Sequence, residues 1–462
     1  MAYIGVQPTD TYLSIASQQI TGNGGATYTL DYSVSNEEDV AVFVNNVRQN
    51  VNTYTVSGTS LTLGGTISAS DSCWVLFLGR TVGTKTPATG SVTNDMLAGS
   101  ISPSKVSNLY PYRNLIINGD MSIAQRGTSV SGLTNGSSQY LIDRFRWYEG
   151  GSPTYQFTMS QDTNVPTGQG FAKSLKLACT TAQSSLGAGD SNIFYQRIEA
   201  QSLQHLKFGT SNAESLTLSF WVKSNKTGTY IIELYSPDGN RGISKSYTIS
   251  SVDTWEKKTI TYVGDTSGTI NNDNGAGLDV YFFLSAGSNY QSGTLGTSWH
   301  VYSSAVEAVG QVNLADTVSN YWQITGVQLE VGTSASDFEF LPWDVNFSRC
   351  LRYYEKSYDY GITAGTVTES GSSSLNGLST SSKQIRTHDT RFTVQKRTNP
   401  TVTIYDKSGN SGKWTNYDSG GNATDNNAYG GVITKNTNSF DIYASNSTAT
   451  GYQFHYTADA EL

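Results

Sequence analysis

Three aromatic side chains, Trp414, Tyr417 and Tyr429, fall in a Gly- and Asn-rich stretch rather than in an alternating apolar run. Lys413, Asn416, Asp418 and Asn422 stand beside them. That combination suits ligand binding to a sugar: the C–H face of the ring stacks on an aromatic, while amides and charges satisfy the hydroxyls. Packing beneath a loop uses the same residue types. Trp299 and Tyr302, flanking His300, form a second group of this kind. Trp147, Trp221, Trp255 and Trp322 lie in or beside strand-like runs and are assigned to the core.

Catalysis finds less support. Glycoside hydrolysis needs two carboxyl groups facing each other across the sugar. Asp143, Glu233, Glu330 and Glu339 are candidate acids, but nothing in their spacing brings a pair together. Asp143 reads as structural, pairing with Arg144 or capping a turn. The four histidines (His205, His300, His388, His455) are scattered, and no Gly-x-Ser-x-Gly elbow occurs, which argues against a hydrolase triad. No Walker or Rossmann loop is found, so nucleotide chemistry is excluded as far as motifs exclude it. Asn271–Gly275 and Asp418–Asn427 offer oxygen ligands of the right hardness for calcium, but neither has the spacing of a calcium loop. Polar turns account for both. No catalytic residue, metal ligand or cofactor is assigned.

The elements that must position these residues are strands. The chain has 462 residues, only 14% of them charged, with 46 Gly and 29 Tyr. Low charge with abundant Thr, Tyr and Val favours sheet over helix, because exposed helix faces usually carry Glu, Lys and Arg. A net charge of −8 argues against sequence-independent nucleic-acid binding, and no apolar run is long enough for membrane insertion. The N-terminal residues show no signal-peptide pattern. Cys73, Cys179 and Cys350 lie far apart, which indicates small buried hydrophobes in a chain made in a reducing cytoplasm.

Four segments follow. In residues 1–85, short apolar runs such as Val40–Val44 and Cys73–Leu78 are separated by Asn and Gly turns, the pattern of a small antiparallel β-sandwich. The Asn45-Asn46 pair suits a turn with positive φ. Residues 86–108 contain a duplicated connector, in which Ser91–Leu97 aligns with Ser100–Val106, nine residues on. Two such short repeats bury nothing alone, so the pattern reads either as a neck, with Val92, Leu97, Ile101 and Val106 near a shared axis, or as a flexible linker.

Residues 109–345 carry strands near Tyr155–Met159, Ser174–Ala178, Leu216–Lys223, Thr229–Tyr235, Lys258–Val263, Val280–Ser285 and Trp322–Glu330, the last interrupted by a bulge at Gly326. Seven or more strands at this spacing imply a jelly-roll sandwich. The one helical candidate there is Asn192–Leu206. Residues 346–462 open with a short helix around Cys350, Leu351 and Tyr354 and continue as a β domain, with 363–382 and 407–427 read as surface loops.

The residues then resemble a known family. Asn114–Met121, Ile123–Gly127 and Tyr140–Trp147, with Gly326–Gly332 further on, look like the start and the closing strand of a carbohydrate-binding-like jelly roll from bacteriophage tail fibres and related virion appendages. Arg349–Ser357, Pro400–Thr403 and Thr457–Leu462 resemble the distal domain that follows it, and the first unit and connector are similar to opening modules of such fibres. The resemblance implies an elongated homotrimer in the virion. Its N-terminal domain would attach to a tail or head protein, and its distal end would bind a host cell-surface glycan or protein without catalysis. Two alternatives stay open: a head fibre or capsid decoration, and a polysaccharide-degrading tail appendage.

Overall fold

The structure is a computed structural model that describes residues 15–78, 112–134, 138–376, 385–386, 390–427, 430–444 and 449–462. The repeat connector with Val92, Leu97, Ile101 and Val106 lies outside the described residues, and so does Tyr429. The chain forms two compact units, residues 1–105 and 106–462.

In the first unit, β1 (Ala16–Thr21), β3 (Val40–Val44), β4 (Val47–Arg48) and β6 (Ser72–Phe77) form a sheet of order β1-β6-β3-β4, and β2 (Thr27–Val34) pairs with β5 (Tyr54–Leu63). Alternation drives Val40, Val42, Val75 and Phe77 from one layer against Tyr28, Leu30, Leu61 and Leu63 from the other. The expected sandwich is present. Its β3–β4 hairpin turns through Asn45 and Asn46 at φ 50° and 59°, the left-handed geometry that a tight two-residue turn needs.

The second unit is built around thirteen strands in two layers. These are β7 (Ser129–Leu133), β8 (Ser138–Tyr140), β9 (Phe145–Gly150), β10 (Gln156–Asp162), β11 (Ser174–Thr181), β12 (Ser191–Glu199), β13 (Leu216–Ser224), β14 (Gly228–Ser236), β15 (Arg241–Ile249), β16 (Glu256–Tyr262), β17 (Ala276–Ala286), β18 (His300–Val301) and β19 (Tyr321–Val331). One sheet runs β16-β13-β19-β11-β10-β7, the other β18-β15-β14-β17-β12-β9-β8. Leu216, Leu218, Phe220 and Val222 of the first meet Phe194, Val280, Phe282 and Leu234 of the second, with Trp147 and Trp322 fully buried between them. Trp221 and Trp255 are half-buried instead. The bulge at Gly326 is real: Ser219 pairs with Gln328 while Trp221 pairs with Thr325. Gly326 has φ 65°, and a Cβ there would meet the Phe171 ring.

Residues 192–206 are a correction. They form strand β12 followed by a 3-10 turn, Ala200–Leu206. Both faces of β12 are covered, Phe194 and Ile198 by the core and Ile193 and Tyr195 by an outer cluster, so the strand lacks the clean alternation that would reveal it.

Helix α1 (Trp343–Leu351) precedes the C-terminal strands. It starts before the expected segment, and Tyr354 already belongs to a strand. One sheet gathers β20 (Tyr354–Lys356), β21 (Ser373–Asn376), β24 (Thr401–Tyr405), β25 (Trp414–Tyr417) and β26 (Ala423–Asn427) with the long strand β29 (Gly451–Asp459). The other gathers β22 (Ile385–Arg386), β23 (Thr390–Arg391) and β27 (Gly430–Lys435) around β28 (Ser439–Ala444). The stretches 363–382 and 407–427 therefore hold strands, not loops alone. Their cause is β29, whose Thr415↔Gln453 and Ser374↔Gln453 pairings recruit segments with little apolar periodicity of their own.

The chain end ties this region to the sandwich. Glu461 pairs with Arg144, Arg126 bonds Asp459 at 3.1 Å, and Glu199 takes a fork from Arg352 at 2.7 and 2.8 Å. All three cysteines are buried and unbridged. No helix among the described residues is long and apolar enough to cross a membrane.

Candidate functional site

The seven-stranded sheet has an inner face that makes the core, so every other residue of its strands points the opposite way. On β14, Tyr230, Ile232 and Leu234 face inward, leaving Ile231, Glu233 and Tyr235 outside. On β17, Leu278, Val280 and Phe282 face inward, leaving Asp279, Tyr281 and Phe283 outside. On β12 the outer residues are Ile193, Tyr195 and Arg197.

Register turns these into rows. Tyr195 stands between Arg146 and Tyr281, Tyr281 faces Glu233, and one step along Asp279 lies between Arg197 and Tyr235. At one end of the face the residues 287–312 fold over Ile193, Ile231 and Phe283 and bury them with Ala308.

What remains is a cross-strand strip of tyrosines. The Tyr195 and Tyr281 rings meet edge to face at 5.1 Å, Tyr281 and Tyr235 stack at 6.2 Å and 17°, and Tyr235 meets Tyr302 at 5.2 Å. Tyr195 is buried at 4% exposure within the covered cluster, Tyr235 and Tyr281 are half-buried, and Tyr302 is 40% exposed. Arg146 and Arg197 place their guanidinium carbons 5.7 and 5.4 Å from the Tyr195 ring. Asp279 fixes the strip from below, accepting from Arg197 Nε at 3.2 Å and from the Tyr281 hydroxyl at 2.6 Å. Rings with fixed tilt, two cations and a carboxylate are the parts that sugar recognition uses.

The same rows contain acids whose pKa burial raises. Glu233 is completely buried, and neither carboxyl oxygen has a hydrogen-bond partner. Burial, with the nearby charges of Glu307 and Asp279, raises its pKa well above the usual carboxylate range. Burial also pushes Glu307 up to about 7. Asp279 rises through burial and is partly restrained by Arg197. Gly242 sits against Glu233, where a Cβ would collide with the carboxyl oxygen. Ser244 Oγ and His300 Nε2 are likewise buried without a partner.

The aromatic groups expected from sequence separate. Trp414 lies in β25 at 1% exposure, with Nε1 donating to Asn416 Oδ1 at 3.0 Å and its ring against Tyr452, so it is a core residue and presents no free face. Tyr417 is half-buried, with its hydroxyl donating to Gln453 at 2.5 Å. Asp418 folds onto Asn422 and Gly420 as a turn. Trp299 turns inward as well: Nε1 donates to the Val263 carbonyl at 2.7 Å and the ring meets Phe208. Of the four that are described, Tyr302 alone joins the strip.

The candidate acids other than Glu233 are structural. Asp143 accepts from Gln125 N and lies 4.0 Å from Arg126; Arg144, its expected partner, pairs with Glu461 instead. Glu330 holds Ser336, and Glu339 accepts from the backbone N–H groups of Arg113 and Asn114. Among the described residues, no group of three or more His, Cys, Asp or Glu side chains is placed to hold a metal ion.

Tyr195, Tyr235, Tyr281, Arg197 and Asp279 were not singled out by sequence. A signal was present: acid-x-Tyr recurs as Glu233-x-Tyr235 and Asp279-x-Tyr281, in register opposite the inward apolar residues.

Neither a family model nor a curated protein sequence matches the chain. Solved structures share parts of its shape. The enzymatically active domain of tailspike protein 4 from bacteriophage CBA120 is 16% identical over 48% of this chain, with a TM-score of 0.28; the match spans only 22% of that protein. A family 11 carbohydrate-binding module from Clostridium thermocellum, in complex with a β-1,3-1,4-mixed-linked tetrasaccharide, is 10% identical over 46% of this chain and 99% of the module, at a TM-score of 0.24. The CBM22-1 xylan-binding domain of Paenibacillus barcinonensis Xyn10C is 12% identical over 48% of this chain and 96% of the domain, at 0.22.

Proposed function

We propose that this chain binds carbohydrate, without catalysis, through the outer face of its seven-stranded sheet, and that it serves as an appendage of a bacteriophage particle in host-surface attachment. The observation that carries the binding reading is the partly open tyrosine row Tyr281–Tyr235–Tyr302, backed by the buried Tyr195 and flanked by Arg146 and Arg197. An outward sheet face in contact with water alone is ordinarily short and polar; here it carries ordered rings whose hydroxyls and neighbours are polar. The phage assignment is supported by the order of the sequence segments that resemble fibre modules. The homotrimer belongs to this proposal too, on the strength of the duplicated connector. Three linked copies would turn weak sugar contacts into firm adhesion.

The test is an array of purified bacterial lipopolysaccharides and capsular polysaccharides, probed with the full chain and with Tyr235→Ala and Tyr281→Ala. The expected result is retention of at least one glycan by the natural sequence and its loss in both variants. Retention by both variants at undiminished strength would overturn the assignment of the face. Release of soluble oligosaccharide from a retained glycan would replace binding by degradation.

A further inference from the structure

A cavity of about 460 Å³, which meets the tyrosine strip only at Arg197, is walled by Tyr112–Ile117, the end of β12, the turn Ala200–Leu206, the end of β19 and helix α1. Its volume is that of a site for a small ligand. Cations outnumber carboxylates on its wall: five Arg or Lys against three Glu.

Most of these charges are already matched. Arg197 and Lys207 bond Asp279 and Glu214, and Glu199 is held by Arg352. Arg113 is 3.8 Å from Glu330 and donates to the Asp337 carbonyl. Arg349 is different. It is half-buried and makes no hydrogen bond or ion pair with the described residues, and its guanidinium lies 6.0 Å from the Tyr112 ring. Burial draws its pKa below the usual arginine range, and the charge of Glu339 only partly restrains the fall.

Arg144 adds a second observation. It is 2% exposed and its guanidinium lies 3.4 Å from the centre of the Tyr353 ring; Glu461 and the Arg197 carbonyl take its two terminal nitrogens, which leaves Nε alone without a partner. Its backbone is held at φ 73°, in the left-handed region that a long side chain rarely adopts. Strain of this kind persists only where surrounding structure enforces it, and it gathers at binding sites.

We propose that this cavity is an anion-selective saccharide site, in which Arg349 receives the oxyanion of an acidic sugar, with the unpartnered Nε–H of Arg144 on the same wall. Planar guanidinium groups match carboxylate and phosphate oxygens in a fixed fork, and the Tyr112 ring with Leu115 and Ile198 offers apolar surface to the sugar's C–H face. The shared ligand chemistry is a pyranose bearing an oxyanion, either a uronate carboxylate or a phosphate ester.

Calorimetric titration of the full chain with sodium glucuronate, glucose 6-phosphate and glucose tests this. Saturable binding of glucuronate or of glucose 6-phosphate, at least tenfold tighter than glucose, is expected, and whichever binds tighter identifies the oxyanion. Arg349→Gln should weaken that binding at least tenfold while Tyr281→Ala leaves it unchanged. Arg113→Gln, which removes charge from the same wall, serves if Arg349→Gln does not fold as judged by thermal unfolding. Absence of saturable anion binding, equal affinity for glucose, or full affinity in a folded arginine variant would overturn the proposal. Tyr281 does not line this cavity and makes no bond to Arg349, so loss of the tyrosine strip's function and loss of this site are read separately.

Discussion

Trp414 and Tyr281 are both large aromatic residues on strands of the second unit, and their surroundings assign them opposite work. Trp414 is enclosed between the two C-terminal sheets with Tyr452, Phe454 and Phe440, and its only polar atom is satisfied within its own strand. Tyr281 stands on the second face of a sheet whose first face already makes the core, and its ring is one member of a row. The difference lies in layering. An aromatic whose face is covered by a second sheet contributes packing, whereas one on an uncovered face keeps surface to offer a ligand. Residues 287–312 show the boundary within one sheet, where Ile193, Phe283 and Tyr195 are buried while Tyr281, Tyr235 and Tyr302 stay partly open.

Substitutions sharpen this comparison, and the largest effect is expected where the ring is enclosed. Trp414→Ala should cost about 3–5 kcal/mol of stability in denaturant unfolding, the range for removing a buried large aromatic. Glycan binding by the folded fraction should be unchanged. Tyr281→Ala should do the reverse, lowering glycan affinity about tenfold, or ~1.4 kcal/mol, with a stability loss well below that of Trp414→Ala. If the two variants have interchangeable effects, the layering account fails.

The buried acids beneath the strip give a pH-dependent test. Folded Glu307 keeps its proton up to about pH 7, while the unfolded chain releases it near 4.5. Folding therefore binds a proton in that window, so this contribution to stability is fully present below about pH 4.5 and lost as pH rises to about 7. Glu307→Gln should flatten that fall in a series of unfolding curves; an unchanged slope would show that Glu307 titrates normally. The smallest effect belongs to Tyr417→Phe. It removes one half-buried hydroxyl contact to Gln453 and should cost about 1 kcal/mol or less, with no change in glycan affinity.

Much of the fold was legible because its strands obey simple patterns. Leu216–Val222 alternates strictly and pairs as expected, the Asn45-Asn46 turn has the left-handed geometry its residues favour, and Gly326 sits in a bulge. Two of the strands that escaped, β12 and β25, draw their order from neighbours rather than from their own periodicity. Ser191–Glu199 is covered on both faces, and Trp414–Tyr417 depends on pairing with Gly451–Gln453. The site was harder to read for a related reason. An outward Tyr281 in a run such as Asp-Val-Tyr-Phe-Phe looks like core until the sheet shows which neighbour faces inward. Glu233 and Tyr302 were visible as candidates, but only strand register brings them to one face.

The central claim is that the tyrosine strip holds carbohydrate. Its most direct test is the equilibrium affinity of the full chain for the polysaccharide retained on the array, measured beside the Tyr235→Ala/Tyr281→Ala double variant. Because the two rings stack on each other their losses couple rather than multiply, so a drop of at least about tenfold is predicted, with a thermal unfolding midpoint close to that of the natural sequence. A folded double variant whose affinity stays within about twofold of the natural sequence would contradict the account.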